Sequence, residues 1–253
     1  NRETLKRLAL KLVEDKPDLI VTSSTTATAP VAKATEGTNL PVVFLSAGNP
    51  LAFVKSYASS GNNLTGISTS SIDLTGKRLE LLKELDPKVR RLVALHYTPG
   101  VSYQENLRAV EEAAKKLGLT LVHVNVSTEQ DRRSAISGLN RKMGDAVFIP
   151  PDAFVIAAIQ EIVQQTIKER LPTIAPTVVD IKRGALATYG ADYYSLGQQG
   201  AVLVDKILRG ARPADLPIEL PSKLHLVLNL KTAKAIGLKI PRGLLLRADE
   251  VIE

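Results

Sequence analysis

The chain has 253 residues, enough for one large domain or two lobes of about 100 to 150 residues, and its 44% apolar and 23% charged content excludes a disordered tail or a fibrous repeat. Cysteine is absent, which excludes disulfides, thiolate metal sites and cysteine nucleophiles and leaves the compartment open. The net charge of +7 invites nucleic acid, yet the basic pairs Arg90-Arg91, Lys115-Lys116 and Arg132-Arg133 are dispersed and aromatics at 4% are too few for base stacking, so no nucleic-acid partner is expected.

Helical periodicity opens the chain at Glu3 to Glu14, where a doubly wound lobe would open with a strand, so a leading βαβ piece is expected before Glu3. A strand over Asp18 to Thr22 leads to a helix through Val31 and Ala34, and a second strand covers Pro41 to Leu45. The turn-forming run Asn62 to Gly66 joins this group to the next, and Gly76-Lys77-Arg78 falls inside a helical pattern. Leu92 to Tyr97 is a strand. In Ser102 to Gly118 the residues Tyr103, Leu107, Val110, Ala114 and Leu117 recur at helical spacing, with Ser102 and Glu105 as a capping box and Gly118 as the stop. Strand Leu119 to Val126 follows, then Ser127 with Gln130 repeats the capping pattern before a helix over Asp131 to Met143. Strands Ala146 to Pro150 and Ala185 to Gly190 precede a helix over Tyr193 to Arg209, ended by Gly210. Alternating strands and helices define an α/β class with two parallel sheets and right-handed crossovers. No apolar run approaches the roughly 20 residues of a membrane span.

In such sheets ligands sit beyond the carboxyl ends of strands, where helix N-termini offer free amides. Two places fit. Ser23, Ser24, Thr25 and Thr26 follow the first strand and offer four hydroxyls, which suit a carboxylate or serve as helix caps. Ser46, Gly48 and Asn49 follow the second, where small residues permit close approach and also form turns. His96, His123 and His225 lie in or at the end of apolar strands with no second ligand at metal spacing, so they read as structural. The sequence contains no GxxxxGK[ST], GxGxxG or GxSxG pattern, and no catalytic residue, metal or cofactor is expected.

Several stretches together resemble the substrate-binding proteins of a bacterial ABC importer family that includes tryptophan and tyrosine importers. They are Pro41-Val42-Val43-Phe44 with Gly48-Asn49-Pro50, Gly61 to Ser68, Gly76 to Leu85, Tyr189 to Tyr193, Ile207 to Leu216, Asn229 to Ala235 and Leu246 to Ile252. The resemblance implies a type I periplasmic-binding-protein fold, two Rossmann-like lobes joined by a hinge, with residues 1–66 and 188–221 in the first lobe and 67–187 and 222–253 in the second. It implies that the ligand is enclosed between the lobes. Ser23 to Thr26 and Ser46 to Asn49 would approach from one side, and Tyr97, Thr98, Asp152 and Asp192 from the other. It also implies a signal segment before the first strand, hence a periplasmic or cell-surface lipoprotein location, and an ABC permease as partner. The family often has Asp where Asn49 stands, so the charge offered by this loop is open.

Within that frame hydroxyls and amides would hold a carboxylate, and Asp192 would neutralise an ammonium or simply cap the helix that follows. Tyr97, Tyr193 and Phe148 would wall a side-chain pocket or belong to the core. The expected function is a non-enzymatic receptor for a small polar organic ligand, an amino acid with an aromatic or branched side chain among the candidates. The alternatives are a regulator's sensing domain on the same fold and a carboxylate-dependent enzyme built on Asp152 or Asp192.

Overall fold

The computed structural model describes residues 2–253. The chain begins with α1 (Arg2–Glu14), β1 (Ile20–Ser23), α2 (Thr25–Ala34), β2 (Val42–Ala47), β3 (Leu64–Ser68), α3 (Thr75–Leu85), β4 (Arg91–Tyr97) and α4 (Tyr103–Lys116). It continues through β5 (Thr120–Val126), α5 (Glu129–Gly138), β6 (Ala146–Phe148), α6 (Ala153–Ile156), α7 (Ile159–Lys168), β7 (Thr173–Ala175) and β8 (Ala187–Ala191). The last elements are α8 (Tyr193–Leu208), β9 (Leu224–Asn229), α9 (Leu230–Ile236), α10 (Arg242–Arg247) and β10 (Glu250–Ile252).

Two compact units result. The chain up to Ser70 joins Tyr193–Ser222, and Ser71–Asp192 joins Lys223–Glu253. These divisions fall a few residues later than 66/67, 187/188 and 221/222. The largest difference is at residues 188–192, because β8 pairs with β7 and β9 of the second unit's sheet.

The first unit holds a parallel sheet in the order β1-β2-β3. Central β2 is apolar on both faces, and Val42, Val43 and Phe44 are fully buried, as a strand covered on both sides must be. Edge strand β1 alternates instead, leaving Val21 exposed. At Gly66 a Cβ atom would stand 2.0 Å from the Phe44 carbonyl oxygen, so β3 can lie beside β2 only with glycine there.

The second unit's sheet runs β10-β9-β8-β7-β6-β4-β5. Its neighbours are parallel, as expected, with the one exception among the described strands of β8 and β9, which pair antiparallel. The chain leaves this unit after Asp192 and re-enters at Lys223, so β9 returns beside β8 in the opposite sense. Apolar clusters fill both faces, one around Leu79, Leu82, Leu92, Val110 and Leu228, the other around Leu95, Ile149, Ile159 and Ile162. Burying about 25 cal/mol per Å² of apolar area makes such two-sided burial the main stabilising term.

Local start signals are shifted in two helices. Ser102 precedes α4, but its side chain makes no capping bond. The capping box before α5 is Thr128 with Asp131 rather than Ser127 with Gln130, and that helix ends at Gly138 rather than Met143. Ser127 still bonds Asp131, its hydroxyl donating to Oδ2 at 2.6 Å.

Candidate functional site

In the first unit the ends of all three strands carry hydroxyls. β1 ends at Ser23, and Ser24 caps α2, its Oγ accepting from the Ala27 amide at 3.4 Å. The Thr25 and Thr26 amides donate to no acceptor among the described residues, as expected for the first turn of a helix. Ser46 lies inside β2, not in the turn after it, and its hydroxyl bonds that of Ser23 at 2.9 Å. Thr25 Oγ1 accepts from the Asn49 amide at 3.0 Å, tying the second loop to the start of α2. The structure therefore brings Ser23, Ser24, Thr25, Ser46 and Asn49 together, with Thr26 next to them in the first turn of α2 and Gly48 in the turn after β2.

The backbone there is unusual. Ser24 at φ 71°, Ser46 at φ 56° and Ser70 at φ 46° all occupy the left-handed side, where side chains other than glycine are disfavoured. Ser24, with ψ 154°, lies in a region that glycine almost alone populates. Ser70 belongs to a third hydroxyl run, Ser68-Thr69-Ser70-Ser71 after β3, which repeats the signature of Ser23 to Thr26 and was legible by the same rule. Ser68 Oγ donates to the Ala47 carbonyl at 3.1 Å and meets the Tyr57 hydroxyl at 3.3 Å. No carboxylate falls among these strand-end residues.

The second unit's strand ends are built differently. Tyr97 closes β4, and its ring stacks on Phe154 with centroids 4.1 Å apart. Arg132 of α5 lies over the other part of that layer, 4.3 Å from the Phe154 centroid, and donates from Nη1 to the Phe154 carbonyl. Thr98 is held by β5, its amide donating to the Val126 carbonyl at 3.0 Å. Asp152 caps the short α6, with Oδ1 accepting from the amides of Phe154 at 2.8 Å and Val155 at 3.2 Å. Oδ2 accepts no hydrogen bond among the described residues and lies against Gly100, where a Cβ would stand 3.0 Å away. Burial pushes the Asp152 carboxyl up from its ordinary value, against the Val155 and Phe154 amides that hold it down. Asp192 follows β8 and is half-buried at the start of α8.

Tyr97, Thr98 and Asp152 thus gather at the ends of β4 and β6. Phe148 does not join them, being 1% exposed within the core. Tyr193 is exposed on the first turn of α8. Phe154 and Arg132 were missed, because Arg132-Arg133 has the pattern of a solvated helix face.

Arg78 was also missed. It is fully buried, and its guanidinium donates to the Tyr189 carbonyl at 2.8 Å, to the Ser71 carbonyl and hydroxyl, and to the Pro176 carbonyl at 3.1 Å. Ser71 is the first residue after one crossing and Tyr189 lies just before another, so one side chain ties both segments to α3. Gly190 belongs to this knot, since a Cβ there would stand 2.3 Å from the Pro176 carbonyl oxygen.

Two of the three histidines meet. His96 Nε2 and His123 Nδ1 lie 3.1 Å apart on neighbouring β4 and β5. Burial, with His123 second, pulls the His96 pKa down to about 4. Among the described residues no group of three or more metal-ligating side chains converges, and no helix is long and apolar enough to cross a membrane.

Comparison with known proteins adds a family. The model of the ABC transporter substrate binding protein family matches residues 1–252. The tyrosine-binding protein of Clostridioides difficile (strain R20291) is 29% identical over 239 residues, covering 93% of this chain and 68% of that protein. Among solved structures, a conserved domain protein from Vibrio cholerae O1 biovar El Tor superposes with a TM-score of 0.92 at 27% identity over 99% of this chain and 84% of that one. The ABC domain from Streptococcus pneumonia, crystallised in complex with L-Trp, gives 0.89 at 26% identity over 100% of this chain and 86% of that one. The fold is that of type I periplasmic-binding proteins.

Proposed function

Because the chain belongs to the ABC transporter substrate-binding protein family, whose members bind small molecules outside the cytoplasm, we propose that it is the receptor for a free amino acid with an aromatic side chain. The observation that carries this is the division of chemistry between the two sets of strand ends. Hydroxyls and free helix-start amides in the first unit suit an α-carboxylate, which needs donors and no neighbouring acid. Asp152 in the second unit offers one committed and one available carboxylate oxygen, which suits an α-ammonium, and Asp192 is a second candidate for that role. The Tyr97 ring, already stacked on Phe154, gives a flat surface for an aromatic side chain. The similar proteins that bind tyrosine and L-Trp support the same class.

In this reading the protein performs no chemistry on its ligand. It resides in the periplasm or on the cell surface as a lipoprotein and hands the amino acid to a membrane permease.

Calorimetric titration with L-tyrosine, L-tryptophan and L-phenylalanine tests the reading. At least one should bind, its amide and N-acetyl derivatives should not, and Asp152→Asn should weaken it at least about 30-fold, the cost of removing a desolvated ammonium's partner. No heat and no thermal shift with any of the three would refute it.

A further inference from the structure

A cavity of about 410 Å³ opens at the opposite end of the second unit's sheet. Its walls come from the turns before β4 and β7, the α5–β6 connection and the turn after α9. Tyr97 and Asp152 stand at the far ends of the strands, and the seven residues of β4 separate the two places by about 20 Å. The cavity is therefore independent of the amino-acid reading above.

Its charge is one-sided. Lys88, Arg141, Arg170 and Lys239 line it, against the single acid Asp86. Some cations elsewhere in the unit are paired, such as Arg91 with Asp145, Lys223 with Asp249 and Arg247 with Glu84, while others, Lys115 and Lys116 among them, form no ion pair among the described residues. Lys88, Arg141, Arg170 and Lys239 form none either, and they differ in lining one cavity together. Asp86 is already engaged, its Oδ1 accepting from the Lys88 amide at 3.0 Å.

Cations at this end have an ordinary use, because α3, α7 and α9 finish here and each helix end carries about half a negative charge. Three such ends and one carboxylate amount to roughly two and a half negative charges, and four cations exceed them. The wall is also shaped. Arg170 stands at φ 54° and Gly237 at φ 74°, turning the chain sharply on two sides, and Arg141 donates from Nη2 to the Arg170 carbonyl. Leu238 adds an apolar side chain to the lining.

We propose that this cavity is a second binding site, for a phosphate-bearing anion. Two guanidinium groups match phosphate oxygens through paired donors, two ammonium groups add point charge, and the volume lies in the range of small-ligand sites. The phosphate could be carried by a free ion or by the headgroup of an anionic lipid, and the two sources share the same recognition.

The test uses the whole chain and two probes. Pyrophosphate is titrated by calorimetry, and vesicles of phosphatidylglycerol in phosphatidylcholine are assayed by co-sedimentation against pure phosphatidylcholine. Binding of pyrophosphate assigns a free ion, and binding of the anionic vesicles alone assigns a headgroup. The double variant Lys88→Gln/Lys239→Gln removes no structural hydrogen bond and should weaken whichever probe binds by about 30-fold. The control Lys115→Gln/Lys116→Gln removes the same charge from α4 and should change binding less than about 3-fold. Equal losses in both variants would reduce the effect to net charge, and an unmodified protein that binds neither probe would overturn the site.

Discussion

In the first unit a left-handed serine stands at or just past each strand end, Ser24 after β1, Ser46 near the end of β2 and Ser70 after β3, whereas in the second β4, β6 and β8 lead to Tyr97, Asp152 and Asp192 without a left-handed side-chain-bearing residue. Both sets occupy the place where an α/β sheet offers a ligand its helix starts. In the proposed reading the first would hold its ligand with main chain and hydroxyls, and its cost is conformational strain. The second would use side chains, and its cost is desolvation, visible in the raised Asp152 carboxyl. A hydroxyl cluster does not titrate near neutral pH, so the two regions should also differ in their response to acid.

The largest expected break in that comparison is Arg78→Met. It would leave the carbonyls of Ser71, Tyr189 and Pro176 without their donor inside the second unit, and should lower its stability by more than about 3 kcal/mol. Urea denaturation followed by amide exchange would show protection lost in β8 and α3 and retained in β2. Equal loss in both units would end their treatment as separate bodies.

Acid gives the next contrast. With His96 held near 4, the folded chain binds fewer protons than the unfolded chain between that value and 6.5. The resulting stability is present above 6.5 and is lost as pH falls toward 4, by about 2 kcal/mol after allowance for partial solvation. His123, Tyr103 and the Glu111 carboxylate beside His123 face the same pair. In His96→Gln the loss over this window should shrink, as read from denaturation midpoints at several pH values.

Ser24 sharpens the contrast from the other side. Ser24→Gly removes the strain and forfeits only a few tenths of a kcal/mol of capping, so ligand-free stability should rise by about 1 kcal/mol. Ser24→Ala keeps the strain, loses the cap and should fall by about 1 kcal/mol. Thermal melts of the pair with the same sign would remove strain from the account.

The smallest effect is Asp152→Asn in the absence of ligand. A raised carboxyl contributes stability below the unfolded value of 3.8, and that contribution is lost as pH rises through the folded value. Asn preserves the acceptor for the Phe154 and Val155 amides, so the variant should melt slightly higher than the parent at neutral pH. A lower melting point would mean that the charge itself holds α6.

Periodicity made the α/β class and most elements legible, because helices such as α4 and strands such as β4 carry their burial pattern in consecutive residues. Short buried strands, β7 and β10 among them, have three residues each, too few to show a period. The first unit's site was readable as hydroxyl runs after strands. Its strained angles were not, since serine is an ordinary residue in any composition and only φ reveals the conflict. Arg132, Phe154 and Arg78 became functional or structural through contacts across 22, 57 and 111 residues, distances over which no local pattern speaks.

The left-handed serines have a consequence for descent as well as for energy. In a chain of this fold released from the need to bind, drift of Ser24, Ser46 and Ser70 toward glycine would relax the backbone at each position. Chains that still hold a ligand at these loops should keep a hydroxyl there despite the strain. Those three positions would then separate receptors from their silent descendants when many such chains are set side by side.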